Sequence, residues 1–94
     1  MNTRTLLFCL GLLIIAPLHA KAVLVVGDSL SAAYGIEQDK GWVALMRHEL
    51  AKYGSYKVIN ISTSGDTTSN GLSKLPAALN QYQPAVVIIE LGAN

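Results

Sequence analysis

Seven lysines and arginines against six aspartates and glutamates leave this 94-residue chain at a formal charge of +1, so neither nucleic acid nor an anionic surface is an implied partner. One cysteine excludes a disulfide within the chain. The length admits one small domain, and no repeat, low-complexity tract or linker divides it.

The first residues carry one charge, Arg4, followed by an apolar run from Leu6 to Ala16 and then Pro17-Leu18-His19-Ala20. A basic start, an apolar centre and a small residue at the cut are the order of a secretory signal. The run is too short for a membrane span, which needs about 20 residues. Residues 1–20 are therefore expected to be a signal peptide, cut after Ala20 or, where the small-x-small pattern fits better, after Ala22. The protein is expected to be exported, periplasmic or secreted, with no stable membrane anchor. Cys9 does not close the apolar run as a lipid-bearing cysteine would, and it leaves with the leader, so no thiolate metal site is implied. The remaining 74 residues (94 less 20) keep six basic and six acidic groups once Arg4 is gone. A domain near this size buries only roughly 60% of its unfolded surface.

Val23 to Val26 is a short, uninterrupted apolar run that predicts a central parallel strand covered on both faces. Gly27 ends it and permits a sharp turn on which Ser29 is lifted clear of the sheet, with a helix expected to begin behind it. In open α/β sheets ligands bind beyond such strand ends. Ser29 displayed in this way is a candidate nucleophile, with backbone N–H groups and a helix N-terminus near the developing charge. Equally, Asp28 and Ser29 are favoured helix caps, and these residues alone do not separate the two readings.

Leu30 to Asp39 reads as a short turn of helix and a loop. Trp42, Leu45, Met46, Leu50 and Tyr53 then recur at helical spacing, with Arg47, His48, Ala51 and Lys52 opposite and Gly54 as a stop. His48 thus reads as a surface residue, and His19 lies in the leader. Lys57 to Ser62 predicts a second strand, running into the polar stretch Thr63 to Gly71. Leu72, Leu75, Leu79 and Tyr82 form another helical stripe, and Pro76 places the helix start, or a bend, near Leu75. Ala85 to Leu91 predicts a third strand, ending in Gly92-Ala93-Asn94.

Strand, helix, strand, helix, strand implies right-handed crossovers and a parallel sheet with helices on its faces. The three strand ends, Gly27-Asp28-Ser29, Ser64-Gly65-Asp66 and Gly92-Ala93-Asn94, then fall on one edge. There they offer one nucleophile and two groups able to donate to an oxyanion.

In order and spacing these three clusters resemble the first three sequence blocks of the GDSL or SGNH hydrolases, nearest to the exported bacterial thioesterase I, lysophospholipase and arylesterase group. The likeness covers essentially all of residues 21–94. It implies a flavodoxin-like three-layer α/β/α fold with a parallel sheet, of which only strands 2-1-3 are present. It implies Ser29 as nucleophile, with the N–H groups of Ser29 and Gly65 and the Asn94 side chain as oxyanion donors. The substrate would be a small-molecule acyl ester or thioester, and no metal or cofactor is implied. The base in this family is the histidine of an Asp-x-x-His block, and no such block occurs here. The chain is therefore expected to be the amino-terminal part of a longer hydrolase, itself inactive, with its third strand at an open sheet edge. Asp66 reads as a turn or cap residue and Glu90 as a polar strand residue.

A different class of function also has a motif. Ser62-x-Ser64-Gly65-x-Thr67 is similar to the phosphate loop of flavodoxins and would make the chain a flavin- or phosphate-binding module. It follows the second strand rather than the first, and a secretory leader suits a redox carrier badly.

Overall fold

In the computed structural model, which describes residues 20–94, strands β1 (Lys21–Gly27), β2 (Tyr56–Asn60) and β3 (Val86–Glu90) form a parallel sheet in the order β2-β1-β3. Helix α1 (Trp42–Leu50) connects the first two strands and α2 (Thr68–Tyr82) the last two. The expected signal peptide, apart from Ala20, lies outside the described residues.

The uninterrupted apolar run of β1 has a direct cause. Successive strand residues point to opposite faces, and both faces are covered. Val23 and Val25 pack with Val58 of β2 and Val43 of α1, flanked by Trp42, Met46, Leu50 and Ile88. Leu24 and Val26 pack with Ala78 of α2, flanked by Ile59, Ile61, Leu75, Tyr82, Val87 and Leu91. The result is the expected α/β/α sandwich, built around a strand buried from Ala22 to Gly27.

Both helices present faces that differ from the expected stripes. In α1, Val43 is the buried residue, whereas Leu45 and Tyr53 are 58% and 73% exposed. Val43, Met46 and Leu50 sit at i, i+3 and i+7 and define the contact line. Leu45 lies off that line, and the helix ends at Leu50, before Tyr53. Arg47 is exposed as expected, yet its Nη2 donates to the Val58 carbonyl at 3.1 Å and ties the helix to β2.

Helix α2 begins at Thr68, well before Leu75, and Pro76 lies inside it. The start is set by a capping box: the Asn70 N–H donates to Thr67 Oγ1 at 3.2 Å and the Thr67 N–H donates to Asn70 Oδ1 at 2.8 Å. Pro76 leaves only the Leu72 carbonyl without its helical donor, and Leu72 is on the exposed face at 72%. The sheet-facing line is Gly71, Leu75, Ala78 and Tyr82, which shares Leu75 and Tyr82 with the expected stripe but leaves Leu72 and Leu79 exposed. Small residues set that line because the helix lies close to β1, and a Cβ on Gly71 would overlap the Leu91 side chain just beyond β3.

Strand pairing runs past the end of β2, where the Ile61 N–H donates to Val25 O at 2.9 Å and the Thr63 N–H to Gly27 O at 3.0 Å. This carries the polar loop after β2 up beside the turn after β1. Among the described residues no helix is long and apolar enough to cross a membrane.

Candidate active site

Gly27, the last residue of β1, stands level with Glu90, the last of β3. Its φ is not left-handed, so the glycine is not required for a sharp turn as the sequence implied. What it supplies is room. A Cβ there would lie 2.5 Å from Ser31 Oγ and 2.8 Å from Glu90 Oε1. Gly27→Ala is accordingly expected to displace both groups and to cost about 1–3 kcal/mol of stability, seen as a lower urea midpoint at unchanged slope.

Asp28 follows and is 1% exposed. Each of its polar groups is engaged, as burial requires. Its N–H donates to Glu90 Oε1 at 3.3 Å, and its carbonyl accepts from the Ala32 N–H at 2.9 Å. Carboxylate Oδ1 accepts from the Leu30 N–H at 3.0 Å, while Oδ2 accepts from Asn94 Nδ2 at 3.4 Å. Asp28 is thus a turn former, bonding its own backbone two residues on.

Ser29 comes next, half-buried, with its carbonyl accepting from the Tyr34 N–H at 3.1 Å. Neither its hydroxyl nor its N–H bonds another described residue. The helix expected behind it is not formed. Residues 29–35 are a run of turns in which Ala33 takes φ 59°, and the first α-helix begins only at Trp42. The segment behind Ser29 therefore supplies no α-helix N-terminus, and neither Asp28 nor Ser29 caps an α-helix.

Among the described residues, Gly65 carries an unpartnered N–H in the loop after β2. It is the third residue of the turn from Thr63 to Asp66, closed by the Asp66 N–H donating to Thr63 O at 3.1 Å. Its φ of 85° is the value a type II turn asks of that position. Nothing lies within 4 Å of where its Cβ would be, so backbone conformation rather than space calls for glycine. The Gly65 N–H, like that of Ser29, has no partner among the described residues.

Asn94 joins the two loops. Its Nδ2 donates to the Asp66 carbonyl at 3.0 Å as well as making the 3.4 Å contact with Asp28. Residues expected from sequence at three separate strand ends are thus tied together by one side-chain amide. The loop after β2 is also held from below. Lys74 of α2 lies 2.6 Å from Asp66 Oδ2, a close ionic contact rather than an aligned hydrogen bond. The same ammonium donates to Ile61 O at 2.9 Å and Thr63 Oγ1 at 3.0 Å.

Asp66 is therefore a paired turn residue, and the α2 cap is Thr67. His48 is exposed on α1, as expected. Glu90 is more than a polar strand residue: besides the Asp28 N–H, its Oε1 accepts the Ser31 hydroxyl at 2.7 Å. One feature of the sequence pointed that way. Glu90 is the only charge in the apolar run from Ala85 to Leu91.

Two hollows flank the sheet, one on each face. The first, about 360 Å³, is lined by residues including Ser31, Gln38, Asp39, Arg47 and Asn60. The second, about 320 Å³, is apolar and lined by residues including Val26, Leu72, Leu75, Ile89 and Leu91. Ser29 lines neither. Among the described residues no three His, Cys, Asp or Glu side chains converge as a metal site would need.

Comparison with known proteins matches residues 25–94 to the model of the GDSL-like lipase/acylhydrolase family. Esterase TesA of Pseudomonas aeruginosa is 50% identical over 88 residues, a span covering 92% of this chain and 44% of that protein. The thioesterase 1/protease 1/lysophospholipase L1 of Escherichia coli K12 is 45% identical over 75 residues, covering 80% of this chain and 35% of that protein. This chain thus spans less than half the length of either. Among solved structures, a crystal structure of TesA aligns with a TM-score of 0.74 at 53% identity, covering 77% of this chain and 41% of that one. The psychrotrophic esterase EstA from Pseudoalteromonas sp., in a structure inhibited by monoethylphosphonate, aligns at 0.71 and 47%, covering 79% and 41%. These likenesses do not favour the flavin-binding alternative, and the geometry agrees. Thr67 commits its hydroxyl and N–H to capping α2, and Asp66 sets a carboxylate in the loop where a phosphate would have to sit.

Proposed function

This chain belongs to the GDSL-like lipase/acylhydrolase family, and from that premise we propose that it is the amino-terminal part of an exported serine esterase and thioesterase acting through Ser29. The observation that carries the reading is the Asn94 amide, bonded at once to Asp28, beside Ser29, and to Asp66, beside Gly65. Attack of Ser29 Oγ on the carbonyl of an acyl ester or thioester forms the Oγ–C bond and moves charge to the carbonyl oxygen. The serine proton passes to the histidine of a downstream Asp-x-x-His block and then to the departing alcohol or thiol. Water, activated in the same way, releases the acid.

Three donors converge on the oxygen: the free N–H groups of Ser29 and Gly65, and Asn94 Nδ2, which exchanges its longer 3.4 Å contact with Asp28 for the substrate. Loss of a single such donor costs roughly 3–4 kcal/mol of transition-state stabilisation. Donors already held in place by loop and strand geometry need no reorganisation as the charge develops, which is why a rigid sheet edge suits this chemistry. The substrate class is small acyl esters and thioesters, lysophospholipids included. The order of residues 1–20 supports export to the periplasm or beyond.

A fluorophosphonate probe tests the assignment. The complete polypeptide is expected to take up one label, located by peptide mass spectrometry on Ser29, and Ser29→Ala to take up none. A label on another residue of the active enzyme would reject the scheme.

A further inference from the structure

The geometry points to Glu90 as a positioning residue for the Ser29 turn, acting through the Asp28 N–H and the Ser31 hydroxyl; this rests on the hydrolase reading above. One carboxylate oxygen, Oε1, accepts from the residue before Ser29 at 3.3 Å and from the residue two beyond it at 2.7 Å. Glu90 therefore spans both ends of the segment that carries the hydroxyl and the N–H of Ser29. Both bonds fall on one oxygen, so the two ends of the segment are held against a single point of β3.

Three features show that the site is built around this contact. Gly27 leaves empty the volume that Ser31 Oγ and Glu90 Oε1 occupy, and the register sets Glu90 directly beside it. Trp42 Nε1 donates to Ser31 Oγ at 3.1 Å, so the Ser31 hydroxyl accepts from the indole and turns its own proton to Glu90. Asn60 Nδ2 donates to the Ser31 carbonyl at 2.8 Å, while its Oδ1 accepts from the Ser62 N–H at 3.1 Å. Asp28 and Ser31 are thus tied by β3, α1 and β2, and the Ser29 hydroxyl between them is left untied.

A nucleophile and an oxyanion donor on one four-residue segment shift together when that segment shifts. Misplacement of reacting groups by about 1 Å can lower a rate about 100-fold without changing what binds. The clamp therefore acts on kcat, and acyl-group binding away from the turn is untouched.

The test compares Glu90→Gln, Glu90→Leu, Ser31→Ala and Ser29→Ala in the complete polypeptide, with p-nitrophenyl butyrate turnover and the rate of fluorophosphonate labelling as readouts. Glu90→Gln keeps an acceptor oxygen for both donors and is expected to hold kcat within about threefold of the parent. Glu90→Leu, folded by circular dichroism, is expected to lose about 100-fold in kcat and in labelling rate with KM within about twofold. Ser31→Ala, which leaves the carboxylate in place, is expected to lose about fivefold in kcat at unchanged KM. The inference is overturned by a folded Glu90→Leu with kcat within threefold of the parent, by a glutamine variant as impaired as the leucine variant, or by a Ser31→Ala with unchanged kcat. Should Glu90→Leu not fold, the glutamine and Ser31 variants decide it. An inactive Ser29→Ala beside an active Glu90→Leu removes this inference alone, whereas an active Ser29→Ala removes the hydrolase reading itself.

Discussion

Ser29→Ala in the complete polypeptide is expected to lower kcat for a short acyl p-nitrophenyl ester by about 10⁴-fold or more, with KM little changed. Serine hydrolases stripped of the nucleophile keep only what their oxyanion donors and binding surfaces provide, which is a small residue of the whole. The same substitution should leave the fold intact. The Ser29 hydroxyl bonds no other described residue, and the turn is held by its neighbours. A surface change of this kind usually stays within about 0.5 kcal/mol, so the melting midpoint is expected to move very little. Lost turnover with retained stability is the signature of a group that reacts rather than supports. A variant retaining more than a hundredth of parental turnover would remove Ser29 from the mechanism.

The same division between reacting and supporting groups explains what the amino-acid sequence disclosed and what it concealed. Strand positions were legible because β1 is apolar from Ala22 to Val26 and β3 from Val86 to Ile89, and alternation with helical segments sufficed for a parallel sheet, whereas the order β2-β1-β3 was implied by the family resemblance. The loops that carry Ser29, Gly65 and Asn94 were legible because each follows a strand. The helix faces were not, since leucine spacing drew the eye to Leu45, Leu72 and Leu79, whereas close approach to the sheet is made by Val43, Gly71 and Ala78. A small residue that permits contact carries no hydrophobic signal of its own. The start of α2 was hidden for a related reason: its cap is a reciprocal pair, Thr67 with Asn70, in a stretch where nearly every residue is polar. Pro76 then read as a boundary although the helix passes through it.

The supporting groups were hidden for a third reason. Glu90 and Ser31 are 59 residues apart in sequence and meet only because β3 returns beside β1 in a register that sets Glu90 level with Gly27. No local pattern announces such a contact. Gly27 stands out in the sequence, but for a backbone freedom it does not use. Its missing side chain is the space in which the contact forms.

Residues 21–94 alone, prepared as a separate polypeptide, are expected to turn over acyl p-nitrophenyl esters at less than about one-thousandth of the rate of the complete polypeptide, since general-base assistance alone contributes about 10²–10⁴-fold. A serine hydroxyl needs a base within hydrogen-bond reach, and each candidate among the described residues is either engaged with another group or placed away from the turn. His48 is exposed on α1, and its neighbour Arg47 is bonded along β2 rather than at the strand ends. Asp66 is held against Lys74, which keeps its carboxylate occupied. Asp28 spends one oxygen on the Leu30 N–H and the other on Asn94. Glu90 faces the Asp28 N–H and the Ser31 hydroxyl, and taking a proton from Ser29 would break the clamp that positions it. The three carboxylates near the turn are thus each engaged, and the imidazole lies elsewhere, on α1. Comparing the two polypeptides at equal concentration, with circular dichroism and tyrosine and tryptophan fluorescence to establish that residues 21–94 are folded, measures how far donors without a base can go. Hydrolysis by folded residues 21–94 within tenfold of the complete polypeptide would show that one of these committed groups is the base after all, and Asp28, Asp66 and Glu90 would be the variants to make next.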